Sequence, residues 1–265
     1  MAIPAPREGS AALITGASSG IGAEVARQLC ARGPDAILVA RRRDRLEQLA
    51  TQLRERHGRH VEVIACDVSD APARAQLLAE IAALGLDVDV LVPCAGFGLI
   101  GPFVAQPPER LTEMVRTNVE AVVALAHALI PPMVSRRAGA VLLVSSFAGR
   151  QPMPNFGAYA ATKAAVTSLA ESLQCELRGS GVTVTALCPG GVTTEFADVA
   201  GANRTEQRMP SALMISPEEC ARAAIEGLEH GRSIVTPRRA VRTFSWVAAH
   251  IPRAIWLPLC RKLMA

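Results

Sequence analysis

The chain has 265 residues, half of them hydrophobic and a fifth charged, which suffices for one large α/β domain with a substantial core and is too short for two. A net charge of +4, with acids interleaved among the bases along most of the chain, gives no reason to expect nucleic acid as a partner. Seven scattered cysteines without a C-x-x-C pair predict neither a zinc site nor a disulfide framework and suit a reducing, cytoplasmic setting. The first ten residues lack the apolar segment of a signal peptide, and no uncharged apolar run of about 18 residues predicts a spanning helix.

Short apolar runs at 11–15, 36–40, 61–65, 88–92, 140–144, 182–187 and 233–236 read as strands, and helical spacing fills 44–56, 72–84, 109–135, 157–177 and 217–230 between them. That alternation predicts a single Rossmann-like, doubly wound α/β domain. Its parallel sheet has about seven strands in order 3-2-1-4-5-6-7, right-handed crossovers and helices on both faces.

The first strand runs into Thr15-Gly16-Ala17-Ser18-Ser19-Gly20-Ile21-Gly22, and apolar spacing turns helical at Val25, Ala26 and Leu29. Three glycines let the backbone approach a ligand closely, and the helix N-terminus offers unpaired N–H groups and a positive dipole end to a pyrophosphate. A tight turn would use glycine too, but the place at the first strand-to-helix crossing favours a dinucleotide. At the end of the second strand, where an acid would bond an adenosine ribose, stand Ala40 and then Arg41, Arg42 and Arg43. A missing acid beside a cation predicts NADP(H) over NAD(H); solvation of the next helix start explains Arg42 and Arg43 equally, but not the missing acid.

Asp67, followed by Val68, ends the third strand, either to bond an adenine amino group or to cap the next helix. After the fourth strand, Pro93-Cys94-Ala95-Gly96 ends in two small residues that admit a cofactor backbone to backbone. Asn118 sits unfavourably inside a long helical stretch, to bind water, to distort the helix and expose a carbonyl, or simply as an exposed amide. Ser145 and Ser146 stand at the C-terminal end of the fifth strand, where open parallel sheets bind ligands and a hydroxyl can donate to a developing oxyanion, though serine is also ordinary turn chemistry.

Tyr159 is the one tyrosine in the chain, and Lys163, one of only two lysines among 28 basic residues, follows it by four positions. On a helix the two share a face. A free phenol titrates near pH 10, and a neighbouring cation lowers an acid by roughly 1 to 3 units, so a second positive charge such as an oxidised nicotinamide would complete the activation. After the sixth strand comes Pro189-Gly190-Gly191-Val192-Thr193-Thr194, and 195–213 has the mixed composition of a substrate lid. Residues 238–265 mix Trp246, Ile255, Trp256 and Leu257 with arginines, while Pro252 and Pro258 interrupt any single helix. Such a tract closes a pocket, packs on a second subunit, or lies peripherally on a membrane surface, and its greasiness predicts a hydrophobic carbonyl or alcohol substrate.

Taken together, T-G-x-x-x-G-x-G at 15–22, Asn118, Ser146, Y-x-x-x-K at Tyr159 and Lys163, and P-G-x-V-x-T at 189–194 resemble, in order and spacing, the classical short-chain dehydrogenase/reductase family. The resemblance implies Tyr159 as general acid/base, Ser146 polarising the carbonyl, Lys163 on the nicotinamide ribose, and Asn118 positioning a water in a proton relay. It implies NADP(H) held by Gly16, Ser18, Ser19, Gly20, Ile21, Gly22, Arg41 and Arg42. Further contacts come from Asp67, Val68, Ala95, Gly96, Pro189, Gly190, Val192 and Thr194, together with Tyr159 and Lys163, and a homodimer or homotetramer is implied. Two departures stand out: Pro93-Cys94 replaces the family's usual Asn pair, leaving sheet bracing in doubt, and Ser19 stands where many NADP-dependent members carry a basic residue. The expected reaction is reduction of a ketone or aldehyde. The alternatives are an epimerase, dehydratase or enoyl reductase on the same fold, and a non-catalytic NADP-binding sensor at a membrane.

Overall fold

The computed structural model describes residues 3–201 and 213–263. Six strands, β1 (Ser10–Thr15), β2 (Asp35–Ala40), β3 (Val61–Ala65), β4 (Asp87–Pro93), β5 (Gly139–Val144) and β6 (Val182–Leu187), are joined by the two-residue strand β9 (Ile234–Val235). They form one parallel sheet in the order β3-β2-β1-β4-β5-β6-β9, as the sequence predicts. A second, two-stranded pairing of β7 (Gly191–Val192) with β8 (Met214–Ile215) was not anticipated.

Near-continuous aliphatic strands are what a sheet covered on both faces requires. Alternate residues of β1 serve opposite layers. Ala12 and Ile14 pack with α1 (Gly20–Cys30), α2 (Arg43–His57) and α8 (Pro217–Glu229), whereas Ala11 and Leu13 pack with α3 (Ala71–Ala83), α5 (Ala121–Arg136) and α6 (Gly157–Glu176). Both clusters are wholly free of aromatic side chains. The strand order reverses between β1 and β4, and it is outside their C-terminal ends that open α/β sheets bind ligands.

The stretch expected as one helix over 109–135 is α4 (Pro108–Val115) and α5 joined by a π-helical turn, Arg116–Glu120, centred on Asn118. Pro108–Arg136 is long and apolar enough to cross a membrane by composition, yet Ala121, Val122, Leu125, Ala126, Ile130 and Met133 are buried against the sheet. Of the expected lid, Phe196–Ala200 is a short helix, α7, and residues 202–212 lie outside the described residues. The C-terminal tract forms α9 (Arg239–His250) and α10 (Arg253–Leu263). Pro252 separates them, but Pro258 does not end a helix; it lies inside α10 on an exposed side, where water can take the carbonyl its missing N–H leaves free.

Candidate active site

The glycine turn lies against the neighbouring strand end with no room for side chains. A Cβ on Gly16, whose φ is +68°, would sit 2.8 Å from the backbone of Ala95, and one on Gly22 would sit 2.5 Å from the Gly16 carbonyl oxygen. The Thr15 hydroxyl accepts from the Ala95 N–H at 3.1 Å, tying β1 to β4. No side chain caps the first turn of α1, so its N–H groups remain available to an anion.

A cavity of about 810 Å³ opens above this turn and runs along the C-terminal ends of the strands. Every expected cofactor residue lines it: the glycine-turn set from Gly16 to Gly22, Arg41, Arg42, Asp67, Val68, Ala95, Gly96, Tyr159, Lys163, Pro189, Gly190, Val192 and Thr194. The expected capping role of Asp67 belongs instead to Asp70, which accepts from the Ala73 N–H, while Asp67 accepts from the backbone and hydroxyl of Ser69.

The cations after β2 sit against different partners. Arg42 donates to the Ser18 hydroxyl at 3.0 Å, to the Ser19 hydroxyl at 2.9 Å and to Glu195 at 2.9 Å. It thereby brings to the glycine turn the positive charge that Ser19 does not carry. Arg41, 65% exposed, lies 3.6 Å from Asp67 and 3.4 Å from Glu113. Arg45 completes the group through Glu195 at 2.5 Å, and hydrogen bonds from Arg45 and Arg42 hold the Glu195 carboxyl down at about 2. Neither Arg45 nor Glu195 was singled out from sequence as a site residue.

Tyr159 and Lys163 are both buried on α6 beneath Ser146. The hydroxyl of Ser145 is committed elsewhere, to the Lys163 carbonyl at 2.8 Å and to Thr167 at 2.6 Å. The Ser146 hydroxyl accepts from the Ala148 N–H at 3.1 Å and lines the cavity with the phenol, whose pKa it lowers. The ammonium of Lys163 donates to the Val144 carbonyl at 2.9 Å and lies 5.7 Å from the Tyr159 ring centroid; burial pushes its pKa down to about 8. The expected lowering of the phenol by Lys163 is not what this geometry delivers. Burial pushes Tyr159 above the usual phenol value, and Ser146 is what pulls it back.

Asn118 is the one expected catalytic residue that does not line the cavity. Fully buried on the widened turn, its amide donates to the Phe97 carbonyl at 2.9 Å and to the Thr162 hydroxyl at 3.1 Å, and accepts from the Phe97 N–H at 3.1 Å. Thr162 in turn donates to the Tyr159 carbonyl at 2.7 Å. Both amide protons are thus used in fixing the loop after β4 to α6. Asn118→Leu should lower stability by about 2 to 4 kcal/mol, since it strands the buried N–H and carbonyl of Phe97. Urea unfolding measures this, and a loss below about 0.5 kcal/mol would contradict it.

The far end of the cavity is aromatic. Of the nine aromatic side chains in the chain, Phe97, Phe147, Phe156, Tyr159, Phe196, Phe244 and Trp256 line it, so nearly all are spent here rather than in the core. Phe156 stacks on Tyr159 at 4.3 Å, Phe196 meets Tyr159 at 5.4 Å, and Phe244 meets Trp256 at 5.7 Å. The Trp256 indole donates to the Pro152 carbonyl at 3.1 Å, anchoring α10 as part of the wall.

A doubly wound sheet, a backbone cradle at its switch point and a Ser–Tyr–Lys cluster at the far side define a nicotinamide-dinucleotide oxidoreductase. Residues 10–205 match the family described as short chain dehydrogenase, and the chain belongs to that family. It is 35% identical over 205 residues to a short chain dehydrogenase of Pseudocercospora fijiensis, covering 77% of this chain and 66% of that protein. It is 32% identical over 231 residues to a very-long-chain 3-oxoacyl-CoA reductase of Laccaria bicolor, covering 86% and 66%. The chain thus spans about two thirds of the length of both relatives. Among solved structures, a short-chain dehydrogenase from Sphingobium yanoikuyae in complex with NADPH shares 33% identity at a TM-score of 0.81, covering 91% of this chain and 93% of that one. One from Burkholderia phymatum in complex with NAD shares 25% at 0.82, covering 90% and 92%, so relatives of this shape hold either coenzyme.

Proposed function

We propose that this oxidoreductase is an NADPH-dependent reductase of hydrophobic ketones or aldehydes. The observation that carries the reading is the polarity of the cavity: arginines at one end, aromatic rings at the other, and the Tyr159 phenol between them. Arg41 and Arg42 would hold a 2′-phosphate, the uncapped first turn of α1 the pyrophosphate, and Lys163 a ribose hydroxyl with the ammonium protons not given to Val144. The coenzyme, when bound, supplies the hydride.

The remaining chemistry belongs to the chain. A phenol raised by burial is protonated at neutral pH, which is the form a reduction needs, because Tyr159 must give a proton to the carbonyl oxygen as negative charge develops there. Ser146 donates a second hydrogen bond to the same oxygen. Asn118 is given a positioning role, holding Phe97 and, through Thr162, the backbone of Tyr159. The name of the Laccaria relative supports a long apolar carbonyl compound as substrate.

Following NADPH absorbance against a panel running from small soluble ketones to steroid-like and long-chain 3-oxoacyl compounds tests the reading. The catalytic efficiency should rise with apolar bulk. Phe244→Ala should reduce kcat/KM for the bulky members about 10- to 100-fold and leave the small ones nearly unchanged, the loss expected from one buried aromatic ring. A panel with no preference for apolar substrates would remove the substrate assignment.

A further inference from the structure

The charge of this chain divides at one point. All 24 acidic residues lie at or before Glu229 with 21 of the 28 cations, while the other seven cations follow it, so the first 229 residues carry a formal −3 and the remainder a formal +7. The helices of that remainder, α9 and α10, have an inward side with an evident purpose: Phe244, Trp256 and Cys260 close the aromatic end of the cavity. Their outward side is exposed. Trp246 is 62% exposed and Ile255 61%, with Val247, Leu257 and Leu259 also exposed.

Arg239, Arg242, Arg261 and Lys262 are exposed around these residues and have no carboxylate in ion-pairing range among the described residues, whereas Arg238 pairs with Glu219 at 3.6 Å. On α9 the spacing of Arg239, Arg242, Trp246 and His250 forms one stripe, and the Trp246 and His250 rings lie 4.5 Å apart. Cations flanking exposed Trp and Leu are the composition of a helix lying in a lipid interface. Two-fold pairing of this patch with its own copy would set like charges against each other, because the tract contains no acid to answer them.

We propose that the outward side of α9 and α10 docks on an anionic lipid bilayer. Trp246 and Ile255 enter the headgroup boundary while Arg239, Arg242, Arg261 and Lys262 hold lipid phosphates. Docking sets the aromatic end of the cavity one helix pair away from the bilayer, where an apolar substrate is concentrated. The docking itself stands on the surface and not on the reaction proposed above, and it is read out as binding rather than turnover.

Flotation of the full chain with vesicles of equimolar phosphatidylcholine and phosphatidylglycerol, or of phosphatidylcholine alone, tests it. The chain should float with the anionic vesicles only and be released by high salt. Arg239→Glu with Arg242→Glu, and separately Trp246→Ser with Ile255→Ser, should each reduce partitioning at least about tenfold. Circular dichroism and thermal melting establish that both variants are folded. No flotation on anionic vesicles, or equal flotation of wild type and both folded variants, would overturn the proposal. So would sedimentation velocity in which Trp246→Ser with Ile255→Ser splits an oligomer of a chain that does not bind vesicles, since the patch would then be a protein interface.

Discussion

Tyr159→Phe should abolish turnover, by a factor of about 10² to 10⁴ or more, while NADPH binds as before. The substitution removes one oxygen from the site and leaves the ring, so the stacking on Phe156 at 4.3 Å and the contact with Phe196 at 5.4 Å persist. What disappears is the phenolic proton. No second phenol can substitute, because the chain has one tyrosine. Fluorescence titration with NADPH separates binding from chemistry, and activity within tenfold of wild type would show that the proton comes from elsewhere.

Arg41→Ala combined with Arg42→Ala should invert the coenzyme preference. Each charge-assisted hydrogen bond to a 2′-phosphate is worth roughly 1.5 to 3 kcal/mol, so the pair should lower kcat/KM for NADPH by about 10² to 10⁴ and for NADH by only a few-fold. Arg43→Ala supplies the control, since Arg43 pairs with Glu47 one turn along α2 at 3.3 Å, an ordinary surface bridge. If Arg43→Ala changed NADPH use as much as the double substitution did, the arginine cluster would be acting by bulk charge and the assignment to Arg41 and Arg42 would fall. Steady-state kinetics with both coenzymes decides it.

The sheet was legible because its strands are uninterrupted aliphatic runs separated by helical periods, and pattern alone separates those two. The two-residue strands β7 and β8 carry no period and were missed for that reason. Within the site, residues that act through local spacing were readable, such as the glycine turn and the pair Tyr159 and Lys163 on one helix face. Those that act through distant partners were not. Asn118 works with Phe97 and Thr162, 21 and 44 residues away, and Glu195 with Arg45 and Arg42, 150 and 153 residues away, and nothing local marks such pairings. The phenol's environment shows the same limit. Sequence places a cation one turn from Tyr159, but only the fold shows that cation turned toward the Val144 carbonyl and the phenol deep enough for burial to dominate.

The central claim is that one cavity brings a reduced dinucleotide and an apolar carbonyl together at Tyr159. Mixing the chain with NADPH carrying deuterium at both nicotinamide C4 positions and a hydrophobic ketone, then locating the label by mass spectrometry, addresses it directly. Deuterium should appear on the carbinol carbon of the product with wild type and be absent with Tyr159→Phe. No label in the product with every apolar ketone tried, or equal transfer by both proteins, would contradict the account.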